Sequence, residues 1–240
     1  MQVLSVNVGK PREVPWNGIT ISTSIYKRAV AGEVAVGKLN LDGDQQADLT
    51  VHGGPYKAVY AYPAEHYGFW RDEFPDMPLT WGYFGENLTT TGLREDDVCI
   101  GDTIKIGSAK FQVTQPRLPC YKLGIRFGRD DIIKRFLASR RSGFYLSVIE
   151  EGSLRSTAEI EIVERNPQKV SIVDIINLFL GMPQDDEILA RAVQVDALPQ
   201  DWKLELQARS RARSKAPAQP ETVTPEAEAN EAPDVDAKSE

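Results

Sequence analysis

Hydrophobic and polar residues alternate in short runs along the first 165 residues, a pattern typical of β-strands. The runs are rich in Val, Ile, Thr, Tyr and Phe, and Gly, Asp, Asn or Pro separates them. They lie at 3–9, 19–27, 33–41, 57–62, 86–90, 103–115, 143–149 and 159–164. Short strands at this spacing favour a β-barrel or a sandwich. Within the run at 103–115, Gly107 and Ser108 separate two strand segments and predict a hairpin.

Helical patterns interrupt the strands twice and replace them near the C-terminus. The first insert covers 63–74, where Pro63 suits the first helical position, and the second covers 129–140, where Asp130 could cap the helix. After residue 167 the hydrophobic period becomes helical, at 171–181, 183–198 and 199–211. In the first of these three segments, Ser171 and Asp174 resemble a capping box, and Gly181 marks the end.

These patterns predict a mostly β fold with helices, of the α+β class, in three regions. Residues 1–165 form a β-barrel-rich domain, 166–213 a three-helix domain and 214–240 a disordered acidic tail with few large apolar side chains. The tail contributes five of the seven net negative charges of the chain, so the rest is nearly neutral. We therefore expect neither a nucleic-acid partner nor binding to a membrane surface.

The cysteine content and the N-terminal residues favour a cytoplasmic protein. Cys99 and Cys120 lie 21 residues apart in unlike contexts, without the spacing of a disulfide framework or a zinc site. The N-terminus lacks the pattern of a signal peptide, and no apolar stretch approaches the length of a membrane span. Sequence motifs of nucleotide-binding loops, zinc proteases and serine hydrolases are also missing.

The segment 115–123, QPRLPCYKL, contains the strongest candidate for chemistry. Two prolines restrict its backbone, so Cys120 is expected at a rigid turn from a strand to a helix. Arg117 and Lys122 flank the thiol, and nearby cations favour the thiolate that binds soft metals. The alternative is a buried cysteine that acts as a small hydrophobe, and the local sequence does not decide between them. Cys99, in an apolar run, is expected to be of that second kind.

Two further segments could contact a ligand. A glycine pair follows His52 and precedes Lys57, so this loop could hold an anion, although a polar turn explains the same residues. Asn87 could donate a hydrogen bond to a phosphate or a pterin, or could satisfy its own backbone in a turn. His66 is expected to pack by its ring, and a metal site built from histidines is not expected.

Several of these segments together resemble the MOSC domain, named for the C-terminal domain of molybdenum cofactor sulfurase, and within that family the YiiM-like branch. The matching text, in family order, is GDQQAD, HGGPYKAVYAYPAEHYGFW, GYFGENLTTTGL, IGDTIKIG, VTQPRLPCYKL and SGFYLSVIEEG. The resemblance covers about residues 1–165. The later helices also resemble the three-helix domain of that branch, which extends the match to about residue 213.

The resemblance implies a β-barrel-rich fold with a cleft for a molybdenum-pterin cofactor (Mo-molybdopterin). The metal ligand, and the catalytic residue, would be Cys120. The residues implied to bind the cofactor are His52, Lys57, Asn87, Arg117 and Lys27. Around Lys27 the chain has Arg-Ala-Val where a Lys-Pro-Val type of run is common in the family, so the local turn differs.

The resemblance also implies an activity, the reduction of small N-hydroxylated compounds such as hydroxylaminopurine base analogues to amines, which detoxifies them. Two electrons and two protons are consumed, and water is lost. The chain has no flavin, haem or iron–sulfur signature, and no pyridoxal phosphate is expected. A separate electron-donating reductase is therefore expected as a partner.

Two other functions remain open at this point. The chain could carry the cofactor to other enzymes without turnover of its own. It could also be a non-enzymatic interaction module in which Cys120 is structural. The sequence does not determine the oligomeric state, and a homodimer is compatible with it.

Overall fold

A computed structural model describes residues 1–48, 53–182 and 186–215 of the chain. The strands are β1 (Gln2–Val8), β2 (Arg12–Trp16), β3 (Ile19–Thr23), β4 (Arg28–Ala29), β5 (Glu33–Val36), β6 (Val59–Pro63), β7 (Leu88–Thr91), β8 (Thr103–Ile106), β9 (Ala109–Pro116), β10 (Phe144–Glu150), β11 (Gly152–Arg155) and β12 (Ile160–Glu164). The helices are α1 (His66–Glu73), α2 (Tyr121–Phe127), α3 (Ile132–Ser139), α4 (Ile172–Leu180), α5 (Asp186–Ala192) and α6 (Gln200–Lys215), with a 3-10 helix at Pro55–Lys57. None of the helices in these ranges is long and apolar enough to cross a membrane.

One large sheet organises the fold and confirms the predicted α+β class. Its eight strands run in the order β12-β8-β9-β10-β6-β7-β1-β4, and two further pairs, β11-β5 and β2-β3, stand apart. The pairing is antiparallel except between β6 and β7. The predicted hairpin at Gly107 and Ser108 is confirmed, because Ile106 pairs with Ala109 across it.

The predicted β-barrel is not confirmed, because the sheet formed by the described residues has two ends, β12 and β4. The sheet nevertheless curls strongly. Backbone hydrogen bonds join Val3 N–H to Ala158 O (2.9 Å) and Thr157 N–H to Val3 O (2.7 Å), so β1 lies against the residues before β12. Alternation of side chains specifies strands and their inner face, but it does not specify whether the ladder closes.

Strand β6 is buried on both faces and separates two hydrophobic cores. Val59 and Ala61 belong to a core that also contains residues of α4 and α6, whereas Tyr60 and Tyr62 belong to an aromatic core with α1, α2 and α3. Successive side chains of a strand point to opposite faces, so this division follows from the alternating sequence VYAYP. The aromatic side of β6 is the side that contributes to the candidate site.

The predicted helix ends are partly wrong. Pro63 is the last residue of β6, paired with Thr90, and α1 begins only at His66. Asp130 does not cap α3; Asp131 precedes that helix and forms ion pairs with Arg129 and Arg135 instead.

The expected ends of α4 are confirmed. Ser171 and Asp174 form a capping box, and Gly181 ends the helix in the left-handed conformation. Residues 216–240 of the predicted tail lie outside the described residues. The boundary between the two predicted domains stays a prediction.

The three C-terminal helices share a core with the sheet. Leu198, Trp202 and Leu206 pack in the same cluster as strand residues such as Val113. Backbone hydrogen bonds join this unit to the 98–100 segment, for example from Ile100 N–H to Val170 O (2.8 Å). The unit therefore docks through both apolar contacts and backbone pairing.

The carboxylate of Glu86 holds the loop that leads into β7. Glu86 is fully buried. It accepts hydrogen bonds of 2.5–3.1 Å from Tyr67 Oη, Thr89 Oγ1 and the backbone N–H groups of Gly82 and Phe84. Burial raises the pKa of Glu86, and these hydrogen bonds oppose the shift. This arrangement positions Phe84 and Asn87 for the site described below.

Glu86→Ala is therefore expected to lower the free energy of unfolding by at least about 3 kcal/mol, because several buried donors lose their acceptor. Urea unfolding of the cofactor-free protein measures the change. Glu161→Ala, at an exposed position of β12, is the control and should stay within about 0.5 kcal/mol of the parent. Equal stability of the two variants would contradict the role given to Glu86.

Candidate functional site

A cleft that is open to solvent collects most of the predicted site residues. Its wall includes the Cys120 thiol, the cationic side chains of Lys27, Lys57, Arg117 and Lys122, the phenols of Tyr60 and Tyr145, and Asp44 and Asn87. Of the six site residues predicted from the sequence, Cys120, Lys27, Lys57, Asn87 and Arg117 all line this cleft. His52 lies outside the described residues.

Cys120 lies at the turn that its flanking prolines predict. Strand β9 ends at Pro116, and Cys120 immediately precedes α2 with an extended backbone. Its carbonyl accepts a hydrogen bond of 2.8 Å from Leu123 N–H, in the first turn of that helix. The side chain is a reduced thiol that is partly exposed to the cleft, not walled off in an aliphatic core.

Arg117 is buried beside this thiol with an unmet hydrogen-bond donor. The residue is 5% exposed, and its guanidinium carbon lies 5.2 Å from the ring centroid of Tyr60 and 5.1 Å from that of Phe136. Its Nη1 atom has no hydrogen-bond partner among the described residues. A buried cationic donor without a partner is costly, and a bound anion would remove that cost.

The backbone around Arg117 is held by a chain of buried groups. Arg117 N–H donates to Gly143 O (3.3 Å), and Gly143 N–H donates to Glu95 Oε1 (2.7 Å). Gly143 has a φ of +61°, and a Cβ atom there would lie 2.5 Å from the carbonyl oxygen of Ala61, so glycine is required. His66 Nε2 contacts the other oxygen of Glu95 at 2.7 Å. The ring of His66 packs edge-on against that of Tyr62, with centroids 5.4 Å apart, as expected, but the sequence did not indicate the contact with Glu95.

Tyr145 also contacts Arg117, and its ring centroid lies 5.3 Å from that of Tyr60. Burial raises the pKa of Tyr145, whereas the Arg117 charge opposes that shift. The phenol therefore keeps its proton at neutral pH and can donate a hydrogen bond at the cleft wall. Neither tyrosine was predicted as a site residue, because both occupy strand positions where an aromatic side chain is usually part of the core.

A carboxylate neutralises Lys27 in the wall of the cleft. Its Nζ atom lies 2.5 Å from Asp44 Oδ1, in a nearly buried ion pair. Asp44 also accepts a hydrogen bond from Gly9 N–H (2.8 Å). Burial lowers the pKa of Lys27, and Asp44 opposes the shift. Lys27 consequently offers less net charge to a ligand than its position alone suggests.

The amide of Asn87 links three parts of the protein. Its Oδ1 accepts from Tyr60 N–H (3.1 Å), and its Nδ2 donates to Asp44 Oδ2 (2.9 Å) and to Asn7 O (3.3 Å). Both amide hydrogens are thus engaged with other strands and loops, a structural role that the sequence alone did not indicate. A contact between Asn87 and a pterin stays a prediction.

Two lysines complete the positive wall. Lys57 is the last residue of the 3-10 helix. This helix directly follows Gly53 and Gly54, whose φ values of +87° and +82° require glycine. Lys122 lies in the first turn of α2 and is largely buried. The sequence marked Lys122 only as a neighbour of Cys120, and the structure places it in the same cleft.

We expect Asn87→Asp to destabilise the cofactor-free protein by about 2 kcal/mol or more at neutral pH, because the new carboxylate faces Asp44 in a buried site. Lowering the pH should reduce this penalty, since protonation of the new carboxyl group removes the repulsion. Thermal or urea unfolding of Asn87→Asp against Asn40→Asp, a partly exposed asparagine, measures both effects. A penalty no larger than that of Asn40→Asp would contradict the linking role.

Comparison with known proteins shows relatives along most of the chain. The chain is 40% identical over 201 residues to the "Uncharacterized protein YflK" of Bacillus subtilis, and the matched region covers 84% of this chain and 90% of that protein. It is 32% identical over 196 residues to a protein of Gibberella moniliformis named "Reductase", covering 80% of this chain but 35% of that protein.

A solved structure agrees with these relatives. The crystal structure of YiiM from Geobacillus stearothermophilus matches with a TM-score of 0.72 and 36% identity, over 87% of this chain and 98% of that chain. The family model described as MOSC domain matches residues 48–161, a range that includes Lys57, Arg117 and Cys120. MOSC domains are associated with binding of the molybdenum cofactor. The chain belongs to the MOSC family.

Proposed function

We propose that this protein is a molybdenum-cofactor-dependent reductase that converts N-hydroxylated compounds to amines. The observation that supports the proposal most directly is that Cys120 and Arg117 line one cleft, and that the buried Nη1 of Arg117 has no hydrogen-bond partner among the described residues. A soft thiolate suits molybdenum, and an unmet cationic donor suits an anionic group of the same ligand.

The residues of the cleft fit a molybdenum-pterin. Cys120 would ligate the metal, and Arg117, Lys57 and Lys122 would hold the negative charge of the phosphate and the dithiolene. Arg117 offers a planar donor fork, whereas the two lysines act as point charges. When bound, the group supplies two-electron redox chemistry that the side chains of this chain cannot provide.

The side chains of this chain would orient the substrate, donate a hydrogen bond to it and exclude water. Cleavage of the N–O bond consumes two electrons and two protons and yields an amine and water. The phenol of Tyr145, protonated because burial raises its pKa, is available to hydrogen-bond the hydroxyl group of the substrate. The rings of Tyr60 and Phe84 at the cleft wall exclude water from part of this space.

The electrons would come from a separate reductase. Two cysteines in the whole chain are too few for an ordinary four-cysteine iron–sulfur cluster. The fungal relative named "Reductase" matches this chain over only 35% of its own length, so most of that protein lies beyond the shared region. That additional length is compatible with an electron-donating domain that is part of the same chain in the relative and a separate protein for this chain.

The test is the reduction of a hydroxylaminopurine by protein purified from a host that makes the cofactor, with a reconstituted electron donor. Cys120→Ser should lose at least about 100-fold in activity, because loss of a metal ligand exceeds the usual cost of losing its supporting contacts. Cys99→Ser is the matched control and should keep activity within about two-fold, since Cys99 does not line the cleft of the described residues.

The other outcomes of this test identify the competing functions. Full activity in Cys120→Ser would refute the proposal. A protein that retains the cofactor, reduces no hydroxylamine or amidoxime and loads an apo-enzyme would be a carrier. A protein without bound metal would be an interaction module in which Cys120 is structural.

A further inference from the structure

The three C-terminal helices reach the candidate site through one tryptophan. Trp202, in α6, is 7% exposed, and its Nε1 donates a hydrogen bond of 2.6 Å to Oε1 of Gln115. Gln115 is 2% exposed and lies in β9, two residues before Arg117. The two residues are 87 positions apart in the chain. Neither lines the cleft formed by the described residues, so neither has a direct contact role there.

Gln115 connects this tryptophan to the turn that presents Lys57. Its Nε2 donates to the carbonyl oxygen of Tyr56 at 3.4 Å, and Thr114 Oγ1 donates to the same oxygen at 2.7 Å. Thr114 Oγ1 also lies 3.1 Å from Tyr145 O. The side chains of Thr114 and Gln115, near the end of β9, therefore hydrogen-bond the backbone at Tyr56, next to Lys57, and at Tyr145.

A second route joins α4 to the same region. Val173 N–H, in the first turn of α4, donates to the backbone carbonyl of Glu95 at 3.2 Å. The Glu95 carboxylate accepts from Gly143 N–H, and Gly143 O accepts from Arg117 N–H. The helical unit thus contacts residues that support Arg117 from two directions.

We propose that Trp202 is a positioning residue, which acts through Gln115 to hold the Lys57 turn and the Arg117–Cys120 segment in the geometry that forms the cleft. Without the indole N–H, the buried Gln115 oxygen loses its donor. Rotation of the amide to find another partner then becomes favourable, and this rotation breaks its hydrogen bond to the carbonyl of Tyr56. This assigns the three helices a role in maintaining the site. It rests on the proposed function only in taking the cleft as the place where a ligand binds.

The test uses Trp202→Phe in the full chain without cofactor. Phenylalanine keeps an aromatic ring against Phe179, whose ring centroid lies 5.6 Å from that of Trp202, and removes the donor. Hydrogen exchange of the amides at 54–60 and 115–123 should accelerate about 5-fold, the change expected when one hydrogen bond of ordinary net strength no longer opposes local opening. In a Cys99→Ser background, the rate of Cys120 alkylation by iodoacetamide should rise by a similar factor.

The control is Val34→Ala. Val34 is 7% exposed and lies in β5, which pairs with β11 outside the eight-stranded sheet, and it does not line the cleft formed by the described residues. This variant loses buried apolar contacts, so it should destabilise the protein comparably, but it should change exchange at 54–60 and 115–123 by less than about two-fold. Gln115→Met is a second variant, expected to reproduce the effect of Trp202→Phe without adding to it in the double variant.

Unchanged exchange and alkylation in both Trp202→Phe and Gln115→Met would overturn the inference. So would an equal effect of Val34→Ala on the same amides, which would indicate general loosening. These measurements need no cofactor. A chain that binds no molybdenum but shows the predicted exchange would contradict the proposed function and leave the positioning role of Trp202 intact.

Discussion

A positive charge held away from water is the constraint around which the site is built. Removing the Arg117 guanidinium from water is unfavourable unless its donors find partners, and one of its nitrogens has none among the described residues. The protein tolerates this arrangement because aromatic rings and Tyr145 pack against the cation and Gly143 holds its backbone. The contacts around the guanidinium must offset the cost of burying an unsatisfied donor. The same donor favours the binding of an anion.

The support comes from both cores that flank β6. The aromatic core supplies the rings near Arg117, and the Glu86 carboxylate fixes the loop that brings Phe84 and Asn87 to the cleft. The other core joins the sheet to the C-terminal helices, where Trp202 reaches Gln115. The site is therefore a product of the whole fold, and Cys120 is one well-placed member of it.

Local features could be predicted from the sequence because their causes are local. Two prolines and the adjacent cations identified the turn at Cys120, and Ser171, Asp174 and Gly181 identified the ends of α4. The short strands β2, β4 and β11 were not predicted. Strand β4 has only two residues and β2 contains Pro15, so neither shows a clear alternating pattern.

Contacts between distant residues could not be predicted from one sequence. Asp44 and Asn87 are 43 positions apart, and His66 and Glu95 are 29 apart, so no local pattern pairs them. The same holds for Trp202 and Gln115, and for the hydrogen bonds by which the curled sheet brings β1 against the residues before β12. The sequence identified which residues are chemically suited to the site, whereas the fold determines which of them are already engaged, as with Lys27 and Asn87.

The molybdenum content of the purified chain tests the central claim most directly. Protein from a host that makes the cofactor should contain about one molybdenum atom per folded chain, and Cys120→Ser, still folded, should contain far less because the thiolate ligand is lost. A wild-type chain without molybdenum, or a Cys120→Ser chain with an equal content, would contradict the account.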